Sequence, residues 1–393
     1  MFGLPRAVWL LGWVSLFTDA STEAVYPLLP YFLTNVLGAG AVSLGVIEGA
    51  AEAVNSVLKI VSGRQSDKSR AKRPLVLMGY SVSSAAKPFI ALVTSPLQVF
   101  VVRILDRLGK GVRGAPRDAM LASWASPDTR GKVYGVHQGM DNLGAVIGPA
   151  LATLFLLAYP TRYRTLFALT AIPGAISVLL IFLIPEKTTT FVASGFSRTS
   201  GSDDVRLKAD ATKADRLPPT FTRFMIILSI FALGNSTDAF LLLRLTDAAG
   251  SAKFVPLMWA GIHVVKSAVS FVSGGWSDRI GRRTVISLGW IVYAVVYAGF
   301  AYSTSLTALL TWFIVYGFYF GFAEGTEKAF VADLAPASRR GTAFGIYNAV
   351  VGFGALTASI VFGVLWSAFG ATVAFGTGAA LAGVATVLLF VAL

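Results

Sequence analysis

Residues 63–73 read GRQSDKSRAKR, and the pattern returns at residues 274–283 as GGWSDRIGRR, each time directly after a long apolar run. Gly63, Asp67, Lys68, Arg70, Lys72 and Arg73 set the first copy, and Gly274, Asp278, Arg279, Gly281, Arg282 and Arg283 the second. A short basic loop recurring between hydrophobic segments points to an internally duplicated membrane protein.

Composition agrees. The 393 residues are 55% hydrophobic and 13% charged, with a mean hydropathy of +0.69, which a soluble globular chain of ordinary balance does not show. Cysteine is absent, so a disulfide framework, a thiolate zinc site and a cysteine nucleophile are excluded. His137 and His263 lie far apart inside apolar runs. They read as packing or hydrogen-bonding residues, and no metal site is expected.

Hydropathy divides the chain into about twelve runs of roughly 20 residues, the length that crosses a hydrocarbon core as helix. They fall near residues 8–34, 41–62, 74–94, 97–122, 131–158, 163–184, 223–246, 252–273, 284–304, 306–332, 341–366 and 370–392. The first run carries Asp19 and Glu23 and no small-residue cleavage site, so it is expected to persist as helix 1. A polar stretch over 186–222 reads as a cytoplasmic linker between a bundle at 1–185 and a bundle at 223–393. The basic loops, the linker cations, Arg130, Lys132, Arg339 and Arg340 all fall on one side, whereas the other side holds little beyond Arg162, Arg164 and Lys253. The positive-inside rule makes the basic side cytoplasmic, with both termini there. The net charge of +13 is thereby explained by topology, and cations spread over short loops do not describe a nucleic-acid surface.

The duplication extends further. Arg130-Gly131, Tyr134-Gly135 and Gly144 match Arg340-Gly341, Phe344-Gly345 and Gly354, and Arg117-Asp118 in helix 4 falls opposite Glu327-Lys328 in helix 10 with the charges exchanged.

On these residues the whole chain resembles the major facilitator superfamily. The two basic loops match its motif A, the first copy lacking the usual glycine between Ser69 and Arg73 and holding one more residue. Arg103, Gly109 and Gly111 are similar to motif B. Gly135, Gly144, Gly148 and Pro149 follow motif C, the antiporter signature, with Ala152 and Thr153 where that motif ends in paired glycines. The resemblance implies an all-α membrane protein of twelve transmembrane helices in two pseudo-symmetric six-helix bundles, working by alternating access around a cavity lined by helices 1, 4, 7 and 10.

Physical roles follow for particular residues. A carboxylate at the end of helix 2 can cap or pair with a neighbouring helix in one conformation and release it in another. Asp67 is the first candidate for such a gate, with Arg113, Arg117 and Asp118 on helix 4 as its expected partners, and Asp278 with Arg279 as its weaker echo. The plainer alternative is that the loops are only topology signals.

Helix 4 carries Arg103, Asp106, Arg107, Lys110, Arg113, Arg117 and Asp118, and Arg103, Arg107, Lys110, Gly114 and Arg117 share one helical face. Each intramembrane charge costs about 2.5–3.5 kcal/mol, so this stripe must meet a polar cavity or acids. Acids stand on helix 2 (Glu48 and Glu52, beside Asn55 and Lys59) and on helix 1 (Asp19 and Glu23). A static ion-pair network binding helices 1, 2 and 4 is the competing reading. For proton coupling, Asp19 near the predicted midplane leads, then Glu23, with Glu52 and Glu48 in reserve. The expected substrate cavity takes Arg103, Asp106, Arg107 and Lys110 from helix 4, Asn235 and Asp238 from helix 7, and Glu324 and Glu327 from helix 10.

Three patterns are set aside. Gly109, Gly111 and Gly114 spell G-x-G-x-x-G without a preceding strand. Asn235-Ser236-Thr237 is a glycosylation sequon buried at membrane depth. Tyr26, Trp259, Trp290, Trp312 and Tyr316 read as packing or interface residues before they read as a substrate stack.

The sequence therefore points to a proton-coupled secondary transporter of a small organic solute, an exporter by antiport. Import of an anionic metabolite by symport, drawn by Arg103, Arg107 and Lys110, is the alternative. Its expected partners are the solute, protons and the lipid bilayer, with no cofactor beyond the proton gradient and no nucleic acid. The expected form is a monomer in a prokaryotic inner membrane. A membrane-embedded enzyme lacks a nucleophile-base pair here, and a non-transporting sensor would need a soluble domain.

Overall fold

The computed structural model describes residues 3–29, 32–38, 41–69, 71–186, 216–249 and 255–393, and every regular element among them is helical. The helices are α1 (Arg6–Glu23), α2 (Ala41–Lys68), α3 (Arg73–Ala86), α4 (Pro96–Trp124), α5 (Arg130–Ala158), α6a (Tyr163–Leu169) and α6b (Ala171–Phe182). They continue with α7a (Pro219–Gly234), α7b (Ala239–Ala249), α8 (Val255–Ile280), α9 (Arg282–Tyr302), α10 (Leu306–Leu334), α11 (Arg340–Phe369) and α12 (Ala371–Val391).

Local sequence explains where they begin and stop. Ser95 accepts the Gln98 N–H at 3.4 Å and Pro96 follows it, so α4 starts on a side-chain cap and a proline with no N–H to waste. The first predicted run, 8–34, does not hold as one helix. Proline 27 cannot donate within a continuing helix, and after Glu23 the chain passes into a 3-10 turn over Tyr26–Leu28 and a π-helical turn over Phe32–Val36. Pro88 likewise turns the end of α3 into a 3-10 segment, Lys87–Leu92. The seventh span starts earlier than expected, at Pro219, and is broken between Gly234 and Ala239. The linker thus gives up 219–222 to helix, and residues 187–215 lie outside the described residues.

The unequal motif copies also have a structural cause. Between α8 and α9 the turn is a single residue, Gly281, at φ +93°, a conformation that costs glycine nothing. The first loop, after Lys68, spreads the same reversal over more residues and does without glycine.

Among the described residues, eight of the spans are long and apolar enough to cross a bilayer by length and composition. In α1, α2 and α4 the charges named above interrupt the run, and α7 is broken. Outward faces are apolar, with Leu151, Leu154, Leu157, Val364 and Val387 all more than half exposed, as a lipid-solvated surface requires. Inside the last six helices an aromatic core forms around α9. There Trp290 stacks on Phe231 with centroids 4.5 Å apart, and Tyr293 on Tyr297 at 4.1 Å.

Among the described residues α5 meets α10 and α4 meets α11, and the two most extensive crossings between the first six helices and the last six are α2 against α11 and α5 against α8. Both are backbone-to-backbone. A Cβ on Gly63 would strike the Gly341 carbonyl, and one on Gly274 would strike the Gly131 carbonyl. Only glycine permits that approach.

Candidate functional site

At the basic end of the bundle each crossing is tied by the motif carboxylate. Asp67 Oδ1 and Oδ2 accept the backbone N–H groups of Gly341 and Thr342, both at 2.6 Å. Asp278 does the same to Gly131 and Lys132, at 2.9 and 2.8 Å. The first N–H groups of a helix have no partner within it and sit at the positive end of its dipole, so a carboxylate there is a strong cap. Each Asp caps a helix from the opposite half of the chain.

Helix 4 does not supply the expected partners of Asp67. Arg117 pairs with Asp118 at 3.1 Å, and Arg113 lies over the Tyr80 ring at 4.0 Å. Nor is Asp278 the poorer site. Arg282 joins Asp278 to Asp333, at 3.0 Å from the latter, Arg130 holds Asp333 at 2.6 Å, and Arg282 also reaches the Pro127 carbonyl at 3.0 Å. Arg279 is exposed.

The motif C glycines divide between two tasks. Gly144 and Gly148 press on the Leu16 and Ala20 carbonyls of α1, with Pro149 beside them in α5, while Gly135 packs on α8 at Ser270 and Gly274.

Deeper in, a cavity of about 320 Å³ opens between the halves, walled by α1, α2, α4, α5, α7a, α10 and α11. Asp19, Lys110, Asn235, Glu324 and Glu327 line it, and so do Arg113 and Arg117, expected at the gate. Glu23, Glu52 and Asp238 stand outside its lining. The Glu48 side chain lies outside the described residues.

Arg103, Asp106 and Arg107 do not reach this cavity either, a second correction to the expected substrate site. Asp106 accepts from Ser83 of α3 at 2.6 Å and sits 3.5 Å from Arg103 and 3.8 Å from Arg107. Arg107 lies 3.9 Å from Glu52, which takes a hydrogen bond from Asn55 at 2.8 Å. Lys87, buried on the α3 side, donates to the Thr18 carbonyl at 3.4 Å. The outer part of the α4 stripe therefore meets polar groups of α2 and α3, and the inner part meets the cavity.

On the opposite wall Glu327 accepts from Trp290 Nε1 at 2.9 Å and from the Tyr347 hydroxyl at 3.0 Å. Glu324 Oε2 is buried with no hydrogen-bond partner among the described residues. The break in α7 is pinned from several sides. Asn235 donates to the Tyr319 hydroxyl at 3.1 Å and Ser236 shares a hydrogen bond with the Tyr297 hydroxyl at 3.1 Å. The Thr237 N–H reaches Ser359 Oγ at 3.0 Å, and Asp238 accepts from Tyr316 at 2.9 Å with Lys266 at 3.8 Å. Trp290 and Tyr316 are thus polar anchors within the aromatic core. His137 and His263 are buried, the latter edge-on to Trp259 at 5.1 Å.

Sequence reasoning passed over Asp141. It lines the cavity from α5 as a neighbour of Asp19, accepting from Ser15 on α1 and from Gln138 at 3.4 Å. A lone acid inside the apolar run 131–158 was the available signal. Lys328 also lines the cavity, donating to Gln138 at 3.2 Å across the halves.

The family sequence model described as Major Facilitator Superfamily matches residues 10–265 and 224–393. The chain belongs to the Major Facilitator Superfamily. Its similarity to an uncharacterized MFS-type transporter of Methanocaldococcus jannaschii is 32% identity over 369 residues, 92% of this chain and 89% of that one. Identity to the multidrug resistance protein MdtH of Cronobacter sakazakii is 25%, over 84% of this chain and 79% of MdtH. The crystal structure of the human organic anion transporter MFSD10 superposes with a TM-score of 0.79 at 18% identity, over 98% of this chain and 100% of that one. The architecture is accordingly the twelve-helix MFS fold, and the chain is a membrane transporter rather than an enzyme.

Proposed function

We propose that this MFS transporter is proton-coupled and exports a small organic solute by alternating access, acting as a monomer in a prokaryotic inner membrane. Residues 1–185 and 219–393 are the two rocking bundles, and the basic face and both termini are cytoplasmic. The observation that carries the coupling is the meeting of Asp19 and Asp141 on the α1–α5 wall of the cavity, beside the α4 wall that presents Lys110 and Arg117. Neighbouring carboxylates beside cations can take up a proton when the cavity faces one side and give it up when it faces the other. Export is supported by the motif C glycines packed at the α1–α5 contact and by a relative named for multidrug resistance. Archaeal and bacterial relatives support the prokaryotic membrane.

The test uses the full chain in proteoliposomes with entrapped pyranine, a pH-sensitive dye, and a panel of anionic, cationic and neutral organic solutes. At least one solute is expected to move protons against its own flow. Asp19→Asn and Asp141→Asn are each expected to abolish pH-driven flux while solute counterflow persists. Counterflow with unaltered pH dependence in both variants removes the pair from the role, and solute-driven proton movement in the same direction as the solute replaces antiport by symport.

A further inference from the structure

The cavity charges are not equally satisfied. Arg117 is neutralised by Asp118, Lys328 donates to Gln138, Glu327 is held by Trp290 and Tyr347, and Asp141 by Ser15 and Gln138. Left over on the α2–α4 wall is Arg113 Nη1, buried without an acceptor although its residue is only 4% exposed. Beside it Lys59, half-buried, and Lys110, exposed to the cavity, have Glu52 as their shared acidic neighbour, with Asp19 a further one for Lys110. Five cations (Lys59, Lys110, Arg113, Arg117 and Lys328) and four acids (Asp19 and Asp141 on the adjoining α1–α5 wall, Glu324 and Glu327 on α10) line the cavity, and with Arg117 paired to Asp118 the cations of α2 and α4 left facing it are Lys59, Lys110 and Arg113. Facing them, α7a, α10 and α11 present Phe231, Tyr319, Phe320 and Tyr347.

A buried guanidinium nitrogen with no acceptor is costly unless something fills its valence part of the time. That nitrogen, with the Lys59 and Lys110 ammonium groups lining the same wall and aromatic rings on the other, matches a molecule with an anionic group at one end and a ring at the other. A volume near 320 Å³ sits at the lower limit of small-molecule sites, about 300–1,000 Å³.

We infer that the solute of this cavity is a small aromatic organic anion, its carboxylate, sulfonate or phosphate held by Lys59, Lys110 and Arg113 and its ring against Phe231, Tyr319, Phe320 and Tyr347. The inference rests on the cavity being the transport site and is independent of direction and coupling ion.

Equilibrium binding to the purified full chain, with radiolabelled 2-naphthoate and its isosteres as probes, tests it. Naphthoate is expected to bind saturably and about tenfold or more tighter than neutral 2-naphthamide or cationic 2-naphthylmethylamine, with octanoate, an anion without a ring, several-fold weaker. Lys110→Gln is expected to lower naphthoate affinity about tenfold and leave naphthamide affinity unchanged. Arg113→Lys, which keeps the charge and loses the fork, is expected to fall between that variant and wild type, with melting curves confirming that each is folded. Equal or tighter binding of the amine or amide, octanoate matching naphthoate, no naphthoate binding, or unchanged naphthoate affinity in both variants would overturn the assignment. Flux of the same probes in proteoliposomes separates the two readings. Naphthoate bound but never moved refutes the cavity as the transport site and leaves the anion site, whereas naphthylmethylamine moved with no naphthoate binding refutes the anion site and leaves the cavity as the transport site.

Discussion

Asp67 and Asp278 are related by exchange: each carboxylate caps the first turn of a helix from the other's half of the chain, Asp67 on α11 and Asp278 on α5. In this structure both caps are made and tie the two halves together at the basic end.

Asp67→Asn removes the charge and sets an amide N–H against a backbone N–H. The closed form is expected to lose about 1–2 kcal/mol, a shift of roughly 5–30-fold in population. The chain has no cysteine, so spin labels on cysteines introduced at Arg64 and Ala337, both exposed at the basic end, report this distance alone. A longer-distance population should grow in the variant, and a distribution identical to wild type would show that the cap does not hold the seam.

Gly63→Ala places a methyl against the Gly341 carbonyl, whereas Gly275→Ala meets nothing within 4 Å. The first is expected to destabilise by about 1–3 kcal/mol through overpacking, and the second to be neutral or slightly stabilising, since alanine suits a helix interior better. Melting temperatures in detergent decide it. Equal values for the two variants would contradict a backbone-limited crossing.

Arg282 and Asp333 belong to one network with Asp278 and Arg130, so their effects should not add. A double-mutant cycle with Arg282→Ala and Asp333→Ala is expected to give a coupling of about 0.5–3 kcal/mol. Additivity within error would mean that the two act separately.

Glu327→Gln keeps an oxygen for one of its two donors, while Glu327→Ala leaves Trp290 Nε1 and the Tyr347 hydroxyl both unpaired. The alanine variant strands one donor more than the glutamine variant and is expected to cost about 1–3 kcal/mol more. Thermal stability of the pair, measured side by side, checks the difference, and an alanine variant as stable as the glutamine one would refute it.

Much of this was legible in the sequence because periodicity and repetition are local properties. The twelve spans and both capping carboxylates could be read from hydropathy and from the spacing of Asp67 and Asp278. Which helix each Asp would cap could not, since a repeat fixes equivalence between halves and says nothing about which half supplies the partner. The α4 charges show the same limit. Spacing puts Arg103, Arg107, Lys110 and Arg117 on one face, yet over so long a helix the neighbours change, and the outer members meet Asp106 and, from Arg107, Glu52 while the inner ones meet the cavity. Asp141 was hidden by the glycines around it, which drew the reading toward packing. The break after Gly234 has no proline to announce it. Its causes are tertiary, four side-chain hydrogen bonds from three other helices.

A seam of glycine backbone against glycine backbone, as at Gly63 and Gly341, has almost no rotamers to freeze. Long side chains interlocked there would lose about 1.5–2 kcal/mol of conformational freedom apiece at each closure and recover it at each opening. Here the cost of ordering is already met within the helices, so the two faces can part and rejoin many times with little thermal toll per cycle.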